Sequence, residues 1–289
     1  MSEKLVLRTA LGKHAHVQPL VDGRVQSDRV TLQFEHYDPL PNAFRQMIRG
    51  GDLDVSEMAT VTHLLAHHFG KPLVGLAIPL WGRLPHTNLV CPEGSDINSP
   101  KDLEGRAVGV RAYGQTSGVW VRGVLANEYG VDNNSIRWVT MEDSHLAEYE
   151  DPSIAVRNTT DMKLREMMMA GELAAIMGER TVSNDGIKTV VPDAEEAAKA
   201  WIARTGLTPI NHGLVFRAAL HAEYPWLAEE LMSLFTEARR VAIEEDGALP
   251  PPEYGLAANR ASIDLLLEFS AQQECPAKRY TPEDLFLSL

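Results

Sequence analysis

Apolar and polar positions alternate between strand-like and helix-like patterns along almost the whole chain. Leu5–Ala10 reads as a strand and Val30–His36 (VTLQFEH) as a second. After Asp38-Pro39, Asn42–Arg49 reads as a short helix closed by Gly50-Gly51. Leu53–Glu57 is a predicted strand, Met58–Phe69 a helix ending at Gly70, and Leu73–Ile78 a buried strand. A break from Pro79 to Pro85 follows before Thr87–Cys91 resumes as strand. Ser99-Pro100 opens a helical turn, with Ser as cap and Pro at the first helical position, and Gly105 ends it. Ala107–Arg111 (strand), Thr116–Tyr129 (helix, stopped by Gly130), Ile136–Met141 (strand), Thr160–Ala170 (helix) and Leu173–Met177 (strand) continue the alternation. Val190-Val191 is a short strand, Asp193–Arg204 a helix and Ile210–Phe216 a strand. Pro225–Glu244 is a long helix with Leu227, Leu231, Leu234, Phe235 and Ala238 at helical spacing; Asn259–Gln273 and Pro282–Phe286 complete the chain. Such alternation predicts an α/β layered fold. Only Gly247–Pro252 resembles a linker, and no internal repeat interrupts the pattern.

Composition narrows the functions available. At 289 residues the chain holds about two domains by the usual size relation. Its net charge is −13 and its pI about 5.2. No basic stripe is present to displace the counterions of a nucleic acid, so no nucleic-acid partner is expected, and an anionic membrane surface is disfavoured for the same reason. The start, MSEKLVLRTALGKHAH, lacks an apolar run behind a basic residue, and nowhere do ~20 apolar residues follow one another. Cys91 and Cys275 lie far apart and form no CxxC pair, which argues against a disulfide framework or a zinc knot. The expectation is a reduced, cytoplasmic protein with no membrane partner.

One ordered set of segments is more specific. SPKDLEGRAVGV followed by TSGVWVRGVLANEYGV resembles the strand entry, small-residue turn and helix of the type II periplasmic-binding-protein fold. FEHYDPLPNAFRQMIRG, DVSEMA, DSHLAEYEDP, AAIMGE, TGLTPINHGLVFR, PWLAEEL and YGLAANR, with EDLF near the end, resemble the 4,5-dihydroxyphthalate decarboxylase family in the family's order. The resemblance implies a two-lobed α/β protein, each lobe a mixed sheet flanked by helices. Residues 1–86 and 214–289 would form lobe I and 87–213 lobe II, with the ligand cleft between them. It implies a carboxy-lyase acting without a cofactor on a small anionic aromatic ligand and giving protocatechuate; a divalent metal and a homo-oligomer stay open. Two departures stand out: GALPPPEYGLAANR joins the long helix directly to the YG-x-x-x-NR segment, where the family carries a longer insert, and Pro85 directly precedes His86. Many chains of this fold are transporter binding proteins, so the alternative is a non-catalytic solute-binding protein.

Decarboxylation of an electron-rich ring needs donors for the carboxylates, an acid for the ring carbon and an acceptor for the ring hydroxyls. Thr116 and Ser117, after Gly114, sit at a predicted helix start and either cap it or contact an anion. Arg111 ends the preceding strand and either reaches the ligand or makes a surface ion pair. Arg122, within the helix, reads as a salt-bridge former and Trp120 as core, whereas Tyr113 is a candidate for stacking on the ligand. Among the ten histidines, His36, His86, His145 and His212 are candidates for proton delivery, and within the implied fold His86 and His212 converge from the two lobe crossings. His14 follows the first strand, with His16 close by. Ser56 and Glu57 look like a cleft wall. Glu148 could share a helical face with His145. His63 and His67 stand at i, i+4, but no third ligand motif accompanies them, so a solvated helix face is the reading for His63, His67 and His68. Nucleotide-loop and serine-hydrolase motifs are absent.

Overall fold

The computed structural model describes residues 3–178 and 186–289. Glu179, the last residue of the AAIMGE segment, lies outside that range. In chain order the elements are β1 (Leu5–Ala10), α1 (Gln18–Val21), β2 (Val30–Phe34), α2 (Pro41–Ile48), β3 (Val55–Ala59), α3 (Thr60–His68), β4 (Leu73–Trp81), β5 (Leu89–Pro92), β6 (Ala107–Val110) and α4 (Thr116–Tyr129). They continue with β7 (Arg137–Thr140), β8 (Ala155–Arg157), α5 (Leu164–Met169), β9 (Ala175–Met177), β10 (Ile187–Thr189), α6 (Ala194–Thr205), β11 (His212–Arg217), α7 (Ala218–Glu223), α8 (Leu227–Glu244), α9 (Leu256–Gln272) and α10 (Pro282–Leu285).

These elements form two compact units. The first comprises Met1–Gly82, Ile210–Asp264 and Tyr280–Leu289; the second comprises Arg83–Pro209 and Leu265–Arg279. Segment 265–279, which the sequence reading kept in the first lobe, is therefore grouped with the second unit.

The first unit is built on a five-stranded sheet in the order β2-β1-β3-β11-β4. β1 pairs in parallel with β2 and β3, and β11 runs antiparallel between β3 and β4. All five residues of β3 are buried, as expected of a strand with neighbours on both sides. α8 lays Leu227, Leu231, Leu234, Phe235, Ala238 and Val241 into a core shared with Leu7, Leu76, Ile78, Leu214 and Phe216. Fully burying one such side chain stabilises by roughly 1.5–3 kcal/mol, so this stripe fixes the helix on the sheet.

The second unit carries a six-stranded mixed sheet in the order β10-β5-β9-β6-β7-β8. Val90, Val139, Met167, Met168, Leu173, Ile176 and Ile187 form a core cluster in it. The expected helix Thr116–Tyr129 is found with those bounds, and Gly130 ends it in the left-handed region. Cys91 and Cys275 are both buried and unbridged.

Several boundaries differ from the pattern, each for a physical reason. β3 continues to Ala59 because Met58 and Ala59 still pair with Gly213 and His212, so α3 starts only at Thr60. β4 runs through Pro79 to Trp81, and the break begins at Gly82. Proline is tolerated there because β4 is an edge strand and its register with β11 shifts between His212 and Leu214. α5 is short because Asn158 ties Thr160 and Met162 into a turn through its side-chain amide. β2 ends at Phe34, leaving His36 in the loop beyond it.

α3 corrects the sequence reading most clearly. Its histidines were expected on a solvated face, yet His63 is 2% exposed. The C-terminal segment covers it, with the Phe286 ring 5.4 Å away at an interplanar angle of 75°. The His68 ring meets the Tyr280 hydroxyl at 2.9 Å.

Candidate active site

The parallel pairing of β1 with β3 ends at Ala10 opposite Ser56, so the chain leaving β1 passes the next residue of β3, Glu57. The Gly12 N–H donates to Glu57 Oε2 at 2.8 Å. His14 Nε2 meets the same oxygen at 2.8 Å. From the other neighbouring strand, His212 pairs opposite Ala59, two residues along from Glu57 and diagonal to it. Its Nδ1 reaches Glu57 Oε1 at 2.6 Å. One carboxylate thus binds two imidazoles whose positions lie 198 residues apart in the chain, and a ladder register sets the meeting.

The Glu57 side chain is 0% exposed, whereas His14 and His212 are 14% and 18% exposed. Burial pushes the Glu57 carboxyl up, but the hydrogen bonds from His14 and His212 outweigh it and hold the group well below the usual carboxylate range. An ionised carboxylate only accepts, so the proton sits on Nε2 of His14 and on Nδ1 of His212 at these contacts. His14 Nδ1 and His212 Nε2 have no protein hydrogen-bond partner among the described residues. This is the layout of a proton-handling pair: a fixed anion orients two bases and leaves one nitrogen of each available.

Neighbours hold the rings in place. His212 meets the Phe44 ring edge-on at 5.4 Å and lies 4.8 Å from the Trp81 ring. His14 stacks on His16 at 5.5 Å with an interplanar angle of 16°. Ser56 Oγ donates to the Glu57 carbonyl at 2.7 Å, so this hydroxyl braces the strand. Gly12 is required by close approach, since a Cβ there would stand 2.7 Å from His14 Nε2 and 3.0 Å from Glu57 Oε2.

Of the residues singled out in the sequence, the structure joins His14, Glu57 and His212, with Ser56 beside them. His36 is exposed in the loop after β2. His86 sits in a 3-10 turn of the second unit, 2% exposed, between the Tyr129 and Trp201 rings at 6.4 and 6.0 Å. Burial lowers its pKa, so this is a neutral interior imidazole. His145 is buried and Glu148 exposed on a stretch with no helix, so the shared helical face is absent.

Arg111 lies 3.7 Å from Glu142. In the amide orientation that satisfies both groups, the Gln115 oxygen accepts from Arg111 Nε and Nη2 at 3.0 and 2.9 Å. Gln115 is also the helix cap residue, which moves Thr116 and Ser117 inside the first turn of α4 rather than onto its cap. Tyr113 is 1% exposed beneath the Arg122 guanidinium, which stands 3.9 Å over its ring, so it is a core residue. Trp120 is core as well, at 0% exposed.

Phe44, Trp81 and Gly12 were missed. Nothing in local spacing marks them, because each gains its role from a strand or loop distant in sequence. His16 was noticed only as a neighbour of His14.

The NMT1/THI5 like family profile matches residues 37–184, just over half of the chain. The chain belongs to the NMT1/THI5-like family. Two relatives of this member are named 4,5-dihydroxyphthalate decarboxylase. The one from Comamonas testosteroni is 28% identical over 325 positions, covering 98% of this chain and 96% of its own. The one from Pseudomonas putida is 28% identical over 211 positions, covering 68% and 81%. Among solved structures, the periplasmic aliphatic sulphonate binding protein SsuA from Escherichia coli aligns with a TM-score of 0.60 at 12% identity, covering 99% of this chain and 94% of that one. The alkanesulfonate-binding protein SsuA from Xanthomonas axonopodis pv. citri, bound to MOPS, aligns with a TM-score of 0.54 at 16% identity, over 93% and 81%. This NMT1/THI5-like chain therefore has the periplasmic-binding-protein-like α/β fold, with two mixed sheets flanked by helices. No helix among its described residues is long and apolar enough to cross a membrane.

Proposed function

We propose that this protein is a decarboxylase of an aromatic acid resembling 4,5-dihydroxyphthalate, releasing CO₂ and leaving 3,4-dihydroxybenzoate (protocatechuate). The observation that carries the reading is the Glu57 carboxylate shared by His14 and His212, each with its second nitrogen free. The names of the two relatives support it.

The chemistry asks for one proton in and one charge shifted. The ring–CO₂⁻ bond breaks to give CO₂, and a proton takes its place on the ring carbon. In this reading one imidazole takes the proton of a ring hydroxyl, which raises electron density at that carbon. The other, as imidazolium beside the Glu57 anion, delivers a proton to the carbon. Glu57 stays ionised throughout; it stabilises the imidazolium and fixes both rings. A positioned acid or base of this kind is typically worth about 10²–10⁴ in rate.

The test is to incubate the purified protein with 4,5-dihydroxyphthalate and follow CO₂ and 3,4-dihydroxybenzoate. Turnover in the wild type, lost in Glu57→Gln, His14→Gln and His212→Gln, supports the reading. Tight binding without turnover, with divalent metals also tried, makes the protein a solute-binding member of its fold and ends the enzymatic reading for this substrate.

A further inference from the structure

The YG-x-x-x-NR segment, Tyr254–Arg260, runs into the start of α9. Its backbone is held with some care. Gly255 takes φ +101°, open to glycine and strained for other residues. Its N–H donates to the Ala77 carbonyl of β4 at 2.8 Å. Asn259 Nδ2 donates to the carbonyls of Glu253 and Gly255 at 2.7 and 2.8 Å. The effect is to fix Tyr254 beside His16, with the rings edge to face and centroids 6.5 Å apart. His16 in turn stacks on His14 of the Glu57 centre.

Three polar atoms in this neighbourhood are buried with no hydrogen-bond partner among the described residues: His16 Nε2, the Tyr254 hydroxyl and Arg239 Nε. Arg239 comes from α8 and stands with its guanidinium carbon 5.8 Å from the Tyr254 ring centroid. Its Nη2 donates to the Pro251 carbonyl at 3.1 Å, and it forms no ion pair with a described carboxylate. An unpaired arginine is notable in a chain of net charge −13. All three groups can donate. Arg239 is permanently charged, burial pushes the Tyr254 phenol up so that it keeps its proton, and burial lowers His16 to about 4, leaving a neutral ring with one N–H. Desolvated donors without acceptors destabilise a fold. Three of them side by side, next to the proton-handling centre, match what a carboxylate accepts.

We infer that Arg239, Tyr254 and His16 receive a carboxylate of the ligand whose reacting side faces Glu57, His14 and His212. The substrate class is then an aromatic acid with a carboxylate besides the one that leaves. This rests on the decarboxylase reading for the partner half of the site. Because the three atoms are shielded from solvent, engaging them displaces at least one of the three side chains, so binding carries a signature at Tyr254 and Arg239 themselves.

The experiment titrates the full chain with phthalate and with benzoate by calorimetry, alongside ligand-free thermal unfolding. The wild type is expected to prefer phthalate. Tyr254→Phe and Arg239→Gln should each weaken phthalate binding about tenfold to a hundredfold, the loss of one charge-assisted hydrogen bond, with benzoate far less affected. Tyr254→Phe should unfold at the same or a higher temperature, a combination that a purely structural tyrosine does not give. If Arg239→Gln does not fold, Arg239→Lys keeps the charge and removes Nε. A wild type without preference for phthalate, or variants that retain it, overturns the inference. Turnover of 4,5-dihydroxyphthalate is read separately: turnover without the preference sinks this inference alone, and preference without turnover sinks the decarboxylase reading alone.

Discussion

Among the described residues each unit buries one charged side chain completely, Glu57 in the first and Arg122 in the second, and their surroundings differ in kind. Arg122 Nε donates to Gln273 Oε1 and Nη2 to the Tyr113 carbonyl, each at 2.7 Å. The rings of Tyr113 and Trp138 lie 3.9 and 5.3 Å from its guanidinium carbon. These two partners are neutral acceptors; Nη1 has no hydrogen-bond partner among the described residues, and the Cys275 thiol that the guanidinium acts on is pushed up by burial to about 11, so it stays protonated at neutral pH. Glu57 is held by two imidazoles that remain partly exposed, His14 in the loop after β1 and His212 at the start of β11. A buried charge among fixed neutral partners serves the fold. A buried carboxylate shared by two partly exposed imidazoles, the side chains that most often carry protons in catalysis, is equipped for chemistry.

That contrast can be broken by substitution. Glu57→Gln should reduce turnover by about 10²–10⁴ while the protein remains folded, since the amide keeps the shape; steady-state rates and circular dichroism check both parts. Arg122→Met should do the opposite. It leaves Gln273 and the Tyr113 carbonyl without their donors, at about 1–3 kcal/mol each, so a loss of about 2–6 kcal/mol should appear in denaturant unfolding, with the Glu57 centre intact in the folded fraction. A reversed pattern, with Glu57→Gln unfolding the chain and Arg122→Met inactivating it, would dissolve the distinction.

Acid sharpens the same comparison. His16 is lowered by burial from 6.5 to about 4, so the fold favours its neutral form. The stability it contributes is complete above pH 6.5 and is lost as the pH falls towards 4, about 3 kcal/mol in all at 1.36 kcal/mol per unit. Glu57, also depressed, contributes above its unfolded value of 4.5 and loses that contribution as pH falls further. Both lie in the first unit, as does His63, which burial lowers to about 3, while the second unit carries His86, also lowered by burial; with more such groups in the first unit, hydrogen exchange should show its strands β1 and β3 opening before the strands around Arg122 on acidification. Equal protection in both units at pH 5 would contradict this. The smallest effect belongs to the ring cage: Trp81→Leu should lower turnover only several-fold, by loosening His212 without removing any proton-carrying group.

Much of this was legible in the chain, and the failures have a common cause. α4 could be bounded to the residue because its stop signal, Gly130, is local. Glu57, with Ser56, reads from the sequence as a cleft wall at the end of its strand. The partnership of His14 and His212 with it was not readable, because it depends on where β1 and β11 register against β3. α3 misled for a related reason: histidine counts as polar in a periodicity, and distant neighbours, Gly75 of β4 and Phe286, turn His63 into a core residue. His86 looked like a proton carrier from its type and place in the order, yet Tyr129 and Trp201 enclose it.

β4 is the outermost strand on its side of the first sheet, where a row of unpaired amides can recruit strands from other molecules. Pro79 deletes one amide from that strand, and the C-terminal backbone occupies another stretch, with Leu287 donating to the Gly75 carbonyl at 3.0 Å. Together they interrupt this border, so that β4 offers no long, regular run of free amides for a second copy to zip along.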